Sequence, residues 1–452
     1  MTRLAAPLAL AELGWMAMGV VDTIMAGPLG PAAIGAGSLG NMLFYPIATC
    51  GIGMLLGLDT VVAQSFGAND PSDCRRSLVN GVWLSLLLSP PLTLCIWALA
   101  PAMHAFGANP RVLAYFDGYL KALLWSVPPL LLYTAFRRYL QAVNIVRVVT
   151  FSLVSANAVN LAGNYALIYG HWGLPALGLT GSGISTAISR LYMALVLLAA
   201  IAWHERKQGN SILRLPWRPD FERMRRLVQL GLPASVQIFV EGAVFAVVTA
   251  VAARLDEVSL AAHSIAINVI STTYMIPLGV SSAAAVRVGQ AVGRSDARGA
   301  VASAWSALLV GALFMGAAGV MLWVIPGWII EAFTRETAVV ATGVALLRIA
   351  AFFELFDGIQ VVATGALRGL GDTRWPAITH FCGYWVVGLP VAYLLCFPYG
   401  LGARGLWIGL SSALILIGAT LVVVLKRALA GTPALLAGRA PVRGGADAAP
   451  VS

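Results

Sequence analysis

The stretch AVASAWSALLVGALFMGAAGVMLWVIP, residues 300–326, is 27 residues long and contains no charged side chain. An α-helix rises about 1.5 Å per residue, so this stretch can cross the ~30 Å hydrocarbon core of a bilayer. Similar apolar runs recur along the chain, and short segments rich in glycine, proline and charge separate them. The sequence therefore predicts an all-α integral membrane protein with about twelve transmembrane helices.

The composition of the whole chain supports this prediction. Of its 452 residues, 59% are hydrophobic and 11% are charged, whereas soluble domains carry about 25% charged residues. A water-soluble fold of this size could not hide so much apolar surface, so the excess must face lipid. The approximate spans are 4–27, 37–62, 78–102, 115–139, 148–169, 178–203, 227–253, 258–285, 300–326, 340–367, 375–397 and 402–425.

The basic side chains, which give a net charge of +10, are distributed unevenly between the two sides of the membrane. With the amino terminus in the cytoplasm, most of them fall on that side: Arg75, Arg76, Arg137, Arg138, Arg147, Arg287, Arg294, Arg298, Arg368, Arg374, Lys426, Arg427 and the group from Arg206 to Arg226. The other side carries Arg111, Lys121, Arg254, Arg335 and Arg404. This bias follows the positive-inside rule and predicts that both termini are cytoplasmic. The charge reflects topology, so we expect no nucleic-acid partner.

The two halves of the chain resemble each other at an offset of about 226 residues. Pro7 falls on Pro233, and AQSFGAND at 63–70 falls on GQAVGRSD at 289–296, with Gln, Gly and Asp matching. Each half holds about six helices, so both halves cross the membrane in the same orientation. Two pseudo-symmetric six-helix bundles around a central cavity suit alternating access, although a channel could also be built from repeats.

The repeat and the charge pattern together predict the domain organisation. We expect an N-terminal six-helix lobe at 1–203, a cytoplasmic amphipathic linker at 204–226 and a C-terminal six-helix lobe at 227–427. The Ala-, Gly- and Pro-rich tail at 428–452 is expected to be disordered. Arginine greatly outnumbers lysine, which is typical of a GC-rich bacterial genome, so we expect a bacterial inner-membrane protein. We also expect it to be monomeric.

Three carboxylates lie deep inside apolar spans: Asp22, Glu241 and Asp357. A charged group in hydrocarbon is costly and therefore usually faces the protein interior and has a function. Such carboxylates could bind and release a proton, coordinate Na⁺ or attract a cationic substrate. The structural alternative is that each pairs with an arginine across helices, for which Arg190 and Arg348 are the candidates.

Other polar residues in the spans carry weaker signals. Glu12 and Glu354 are further acids, and we expect Asp59, near the inner end of its span, to be solvated at the interface. Asn157, Asn160 and Asn164 share one strip of a helix, where amides more often hydrogen-bond a neighbouring helix than bind an ion. Gln237 stands one turn before Glu241 and could extend a ligand cluster. The aromatic side chains could line a cavity for flat cationic molecules, or simply pack: Phe44, Tyr45, Tyr274, Phe353 and Trp385.

Several function classes lack their sequence signatures. The five His and five Cys form no metal-binding or acid–base pattern, and no Walker A loop is present. A membrane-embedded enzyme such as an acyltransferase would need a catalytic His or paired acids at a membrane face. We therefore predict a secondary transporter without a cofactor, and neither an ATP-driven pump nor an enzyme.

At this point the sequence resembles the multidrug and toxic compound extrusion (MATE) family over nearly its whole length. The motifs that carry the resemblance are GVVDTIMAG at 19–27, GLDT at 57–60, AQSFGA at 63–68, QIFVE at 237–241, AAH at 261–263 and GALRGLGDT at 365–373. Acids at both Glu241 and Asp357 are similar to the NorM-type branch. The resemblance implies two six-helix lobes that export cationic amphipathic compounds in exchange for H⁺ or Na⁺.

The resemblance also implies two sites. One is an acidic site at Asp22, with Asn160, Asn164 and Thr186 nearby, and the other is a cation site at Glu241 and Asp357, where Na⁺ could bind. Phe353 stands where some Na⁺-coupled members have a Tyr, and Asn164 stands where related members have an Asp, which favours H⁺. The rival within the same superfamily is a flippase for lipid-linked oligosaccharides, which usually needs a cationic cavity. Here the interior is acidic on balance.

Overall fold

A computed structural model describes residues 2–105, 109–209 and 217–437, and the chain is helical almost throughout these residues. Eleven of the described helices are long and apolar enough to cross a membrane, and the predicted all-α membrane fold is confirmed. The helices are α1 (Thr2–Ala26), α2 (Pro31–Leu55), α3 (Gly57–Gly67), α4 (Pro71–Ala105), α5 (Pro110–Leu124), α6 (Val127–Ala142), α7 (Val146–Tyr169), α8 (Leu179–Lys207), α9 (Phe221–Ala252), α10 (Glu257–Gly293), α11 (Ala297–Val324), α12 (Pro326–Glu331), α13 (Thr337–Leu370), α14 (Arg374–Phe381), α15 (Leu389–Cys396) and α16 (Gly402–Ala437). A π-helical segment, Cys382–Gly388, joins α14 to α15.

The predicted span 115–139 is divided between two shorter helices, α5 and α6. The chain leaves helical hydrogen bonding at Trp125 and Ser126, just before Pro128 and Pro129 in the first turn of α6. Proline has no backbone N–H and clashes with the preceding helical turn, but it is tolerated where a helix begins. The fourth predicted span, 115–139, therefore exists as a broken helix, in which neither piece is long enough to cross alone.

The turns α3–α4 and α10–α11 show the internal repeat at the level of single atoms. Asn69 and Ser295 both adopt left-handed backbone angles, with φ of 58° and 56°. The following aspartates, Asp70 and Asp296, each accept a hydrogen bond from the backbone N–H three residues later, at 2.9 and 2.7 Å. This is the N-cap arrangement that satisfies a free N–H at a helix start. Two turns 226 positions apart thus share the same backbone geometry and the same capping aspartate.

The side chains pack into two lobes. One hydrophobic cluster runs from Ala11 to Leu227 and the other is built mainly from 244–429. The exceptions are Val146 at the start of α7 and the first turns of α1, where Leu4, Ala5 and Leu8 pack into the second cluster. The first helix therefore belongs to one lobe through most of its length and enters the core of the other at its start.

The lobes contact each other at one end of the molecule, where α1, α4 and α9 begin and α3, α10 and α13 end. We call this end the basic end, because the positive-inside arginines cluster there. Gly67 and Gly293 are 226 positions apart, and a Cβ on either would collide with the backbone of the other lobe, at Gln290 and Gln64 respectively. Glycine is therefore needed at both positions for this close approach.

The opposite ends of the lobes are less closely packed. In the described residues, the hydrogen bonds that join the lobes lie at mid-depth or toward the basic end, the two nearest the middle being Ser235 to Cys50 and Thr272 to Met16. In the outer half of α1, the side chains of Val20 and Ile24 are 51% and 67% exposed. The lobes are therefore closed at the basic end and diverge toward the other end.

Two predictions about the connecting segments need correction. The amphipathic helix expected at 204–226 is not separate, because α8 reaches Lys207 and Phe221 already begins the spanning helix α9. Residues 210–216 lie outside the described part. The disorder expected from residue 428 is wrong for the first ten positions, because α16 continues to Ala437, and residues 438–452 lie outside the described part.

The expectation that Asp59 is solvated at the interface is wrong, because Asp59 is only 1% exposed. Its carboxylate pairs with Arg138 and Arg368, which are also buried. Glu12 likewise pairs with a buried arginine, Arg137. These three arginines were counted among the cytoplasmic charges, but they lie inside the basic end. Buried charges persist when they are paired, which explains why both signs occur together here.

Candidate transport site

Asp22 of α1 stands at the centre of a polar cluster in the N-terminal lobe. Its Oδ1 accepts hydrogen bonds from Asn160 Nδ2 at 3.0 Å and Asn164 Nδ2 at 2.7 Å, both on α7. Its Oδ2 accepts one from Thr186 Oγ1 of α8 at 3.0 Å. Asn160 and Asn164 are fully buried, whereas Asp22 is partly exposed. The structure therefore brings together the four residues that the sequence assigned to one site.

The asparagine strip on α7 divides between two roles. Asn157 donates to the Gly14 carbonyl of α1 at 3.0 Å, so it joins two helices and does not reach Asp22. Asn160 and Asn164 follow one and two turns later and face the carboxylate. A small cavity of about 40 Å³ beside Asp22 is also lined by Tyr119. The neutral donors thus hold an acid next to a space that can admit a small species.

The C-terminal lobe carries a second cluster around Glu241 of α9 and Asp357 of α13. Tyr274 Oη donates to Glu241 Oε1 at 3.4 Å, and Gln360 Nε2 donates to Asp357 Oδ1 at 3.1 Å. Gln237 and Gln360 are also hydrogen-bonding neighbours of Glu241. Gln360 therefore lies near both acids and donates to Asp357.

A buried histidine, His380 of α14, completes this cluster. Its Nε2 lies 2.6 Å from Gln360 Oε1 and 3.5 Å from Gln237 Nε2. Its Nδ1 lies 2.7 Å from the Pro376 carbonyl oxygen. The oxygens of Pro376 and Gln360 can only accept, and a neutral imidazole has one N–H, so it can donate to one of these two oxygens at a time. His380 therefore lies directly beside the glutamine that donates to Asp357.

The remaining candidates in this lobe lie around the two acids. Glu354, one turn before Asp357, accepts from Thr273 Oγ1 at 3.1 Å, and its Oε2 is buried without a protein partner. Phe353 is 3% exposed and packs its ring 6.1 Å from that of Trp407. The Trp407 indole in turn donates to His263. Phe353 therefore belongs to an aromatic group with Trp407 and His263.

Arg190 and Arg348, the arginines considered as partners for these acids, have other neighbours. Arg190 donates to Ser126 Oγ at 2.5 Å and lies over the ring of Phe44, while Arg348 lies over that of Trp323. Within the described residues, the buried and half-buried acids of the spans fall into two classes. Those paired with arginine are Glu12, Asp59 and Glu205. Those whose hydrogen-bond partners are all neutral are Asp22, Glu241, Glu354 and Asp357, although the charge of Arg190 also acts on Asp22 from a distance.

Comparison with known families matches the chain twice. The MatE family model covers residues 7–166 and 233–394, and these segments begin 226 residues apart, which is the offset of the internal repeat. The two matches together span most of the chain. The chain belongs to the MATE family.

Similar proteins of this family occur in several bacteria. A probable multidrug resistance protein NorM of Mesorhizobium japonicum is 35% identical, with 92% of this chain and 91% of that protein covered. A protein of the same description from Burkholderia mallei is 38% identical, with coverages of 91% and 89%. The crystal structure of a eukaryotic MATE transporter superposes with a TM-score of 0.86 at 19% identity, covering 96% of this chain and 98% of that one. The MATE fold of two six-helix bundles is therefore shown, and the chain is a multi-pass membrane protein.

Sequence reasoning missed Gln360 and His380. Gln360 stands three residues after Asp357, on the same face of α13, and that spacing was a usable signal. His380 lies in another helix, so only the fold places it beside Gln360. No group of three or more His, Cys, Asp or Glu side chains suited to a metal occurs among the described residues.

Proposed function

We propose that this MATE chain is an antiporter that exports cationic amphipathic compounds in exchange for a cation, H⁺ rather than Na⁺. The observation that carries the proposal is the division of the buried acids. Asp22, Glu241 and Asp357 have only neutral hydrogen-bond partners, whereas other interior acids are neutralised by arginine. An acid without a fixed cation can exchange a proton for a cationic substrate.

The polar clusters of the two lobes would both take part in the exchange of a proton for a cationic substrate. In the N-terminal lobe, Asn160, Asn164 and Thr186 hold Asp22 in one orientation. In the C-terminal lobe, Gln237 lies beside Glu241, and Asp357 is held by Gln360. A coupling cation and a positively charged drug compete for the same carboxylates, and this competition makes exchange obligatory. The names of the curated relatives, multidrug resistance proteins, support drugs as the exported compounds.

Two side chains favour H⁺ over Na⁺ as the coupling ion. Na⁺ is a hard cation and needs several oxygen ligands. The ring of Phe353 supplies none, and it packs against Trp407. Asn164 turns its amide nitrogen, and not an oxygen, toward Asp22. A proton needs only one acceptor oxygen and is compatible with both arrangements.

The same proposal includes the setting of the protein. We infer an N-terminal lobe at 1–203 and a C-terminal lobe at 227–427, with the basic end and both termini in the cytoplasm of a bacterium. The chain would act as a monomer in the inner membrane and needs no cofactor. On this topology, the lobes are closed toward the cytoplasm and the chain faces outward.

The test is ethidium efflux from proteoliposomes in which a proton gradient and a Na⁺ gradient are imposed separately. We expect efflux under the proton gradient, and loss of that efflux in Glu241→Gln and in Asp357→Asn. The matched control is Asp117→Asn, a half-exposed carboxylate on α5 whose partner is His104, which should export like the parent.

Other outcomes have defined meanings. Efflux under the Na⁺ gradient alone would keep the antiporter and replace its coupling ion. No response to either gradient, with correctly inserted protein, would contradict drug export. Transport of a lipid-linked oligosaccharide would then be measured in the same vesicles as the rival function.

A further inference from the structure

The buried carboxylate of Asp59 joins the two lobes at the basic end. Its Oδ2 lies 3.3 Å from Arg138 Nη1 on α6 and 3.3 Å from Arg368 Nη1 on α13. The first arginine belongs to the same lobe as Asp59, and the second belongs to the other lobe. One acid therefore holds one cation from each lobe, and the side chains of all three residues are at most 10% exposed.

Hydrogen bonds around this cluster also cross between the lobes. Gln64 Nε2 donates to the Gly369 carbonyl at 3.2 Å, and its repeat counterpart Gln290 donates to the Ala142 carbonyl at 2.8 Å. Thr60 Oγ1 donates to the Arg368 carbonyl at 2.6 Å. The two glutamines form a nearly symmetric pair of contacts, so both repeats contribute to closing this end.

The ion cluster, in contrast, occurs in only one repeat. The position 226 residues after Asp59 is Ala285, and the position 226 residues after Arg138 is Thr364. The symmetric contacts already bring the backbones together, so the charges are not required to form the fold. A buried ion cluster adds little stability compared with apolar packing, but it does select one arrangement over others.

We propose that Asp59, Arg138 and Arg368 form an ion latch that keeps the basic ends of the lobes closed, and that Arg368 is the member released when the chain opens to the cytoplasm. Asp59 and Arg138 lie in one lobe and move together, so Asp59 stays paired in both states. Arg368 is paired only when the lobes meet. These residues position the lobes and touch no substrate.

The surroundings of the latch allow this release. A crevice of about 500 Å³ at the basic end is lined by Thr60 and Gln64 from one lobe and by Arg226 and Arg374 from the other. It leads to the hydrogen bonds that flank the ion cluster. Opening at this end would therefore transfer Arg368 into water, where its charge is well solvated and needs no partner. The inference rests on the alternating access included in the proposed function.

The experiment measures how fast a buried cysteine becomes accessible from the cytoplasm. Ser235→Cys, in a background without the five native cysteines, places the reporter between the lobes, where Ser235 is 5% exposed. Vesicles with the cytoplasmic face outward receive a membrane-impermeant maleimide. When opening is faster than labelling, the labelling rate follows the population of the open state.

Arg368→Gln should raise this rate about tenfold, within the range of ordinary conformational couplings. Arg368→Lys keeps the charge but loses the planar guanidinium group. Its labelling rate should therefore lie between the rate of the parent and the rate of Arg368→Gln. The matched control is Arg294→Gln, an exposed arginine at the same end, which should label like the parent. A parental rate in Arg368→Gln would overturn the proposal.

A second reporter separates opening from loosening of the fold. Ser185→Cys lies inside the N-terminal lobe, where Ser185 is 1% exposed, and it should stay unlabelled in every variant. Equal acceleration at both reporters would mean general destabilisation and would contradict the latch. Ethidium efflux is measured on the same vesicles without the reporter substitutions. Absence of ethidium efflux in the parent would contradict the transport proposal. The labelling rates would still show whether the ion latch exists.

Discussion

The two repeats share their turns, caps and close glycine contacts, yet their polar clusters differ. The N-terminal cluster holds one acid, Asp22, on which three neutral donors converge. The C-terminal cluster holds three acids, and among the described residues Asp357 accepts a side-chain hydrogen bond only from Gln360. A carboxylate offers about four acceptor positions, so Asp22, with three donors, is nearly saturated, whereas Asp357 and Glu354 each accept one hydrogen bond from the described side chains. A duplicated fold has thus kept its packing and changed its chemistry, and the free acceptor capacity lies in the second lobe.

The largest effect is expected from removing an acid of the C-terminal cluster. Asp357→Asn should lower proton-coupled ethidium efflux by about 100-fold, because positioned proton-transfer groups contribute at least that much. Proteoliposome efflux, normalised to inserted protein, gives the value. Glu205→Gln is the comparison, since Glu205 is buried but paired with Arg75. If both variants export equally, the distinction between paired and unpaired acids loses its functional meaning.

Asp22→Asn should reduce efflux by about tenfold, less than the loss of a C-terminal acid, because the N-terminal acceptors are already occupied. The assay is the same, with Asp117→Asn as the control. A loss equal to that of Asp357→Asn would show that acceptor capacity does not rank the two clusters.

Asn164→Leu tests the donors around Asp22. It removes a 2.7 Å hydrogen bond, and loss of one bond to a buried charged group corresponds to a fewfold to about tenfold weakening. Cation binding can be followed by the ethidium concentration at half-maximal efflux. Asn157→Leu, on the same helix face but bonded to the Gly14 carbonyl, should change that concentration less. Equal shifts would assign the whole strip to helix packing.

The smallest effect is expected from Phe353→Tyr, which adds one oxygen to the C-terminal lobe. Efflux under a Na⁺ gradient should rise by about twofold at most, because a single added ligand is a small part of a Na⁺ site. Phe352→Tyr is the matched control, since the neighbouring side chain is 65% exposed. A large gain in Na⁺-driven efflux would show that the tyrosine alone decides the coupling ion.

Sequence reasoning recovered what depends on neighbours along the chain. Apolar run length located the spans, and the repeat offset located equivalent turns. Sequence reasoning failed where the partners of a residue are distant along the chain. Asp59 was expected to be solvated, since nothing near it indicates Arg368, more than 300 positions away. His380 was dismissed as scattered for the same reason. Trp125, where the fifth and sixth helices separate, lies within an apolar run, and run length alone does not reveal a break.

The first turns of α1 have a consequence for how the protein is made. Leu4, Ala5 and Leu8 are buried in a hydrophobic cluster whose other buried members, apart from Val146, all follow position 243, so most of their packing partners are synthesised long after they are. Membrane helices enter the bilayer in order, and domains generally fold as units during synthesis. Part of the surface of the first helix must therefore remain exposed to lipid until the C-terminal half has been inserted. An N-terminal half expressed alone would keep that surface uncovered, and adding the C-terminal half as a separate chain should cover it.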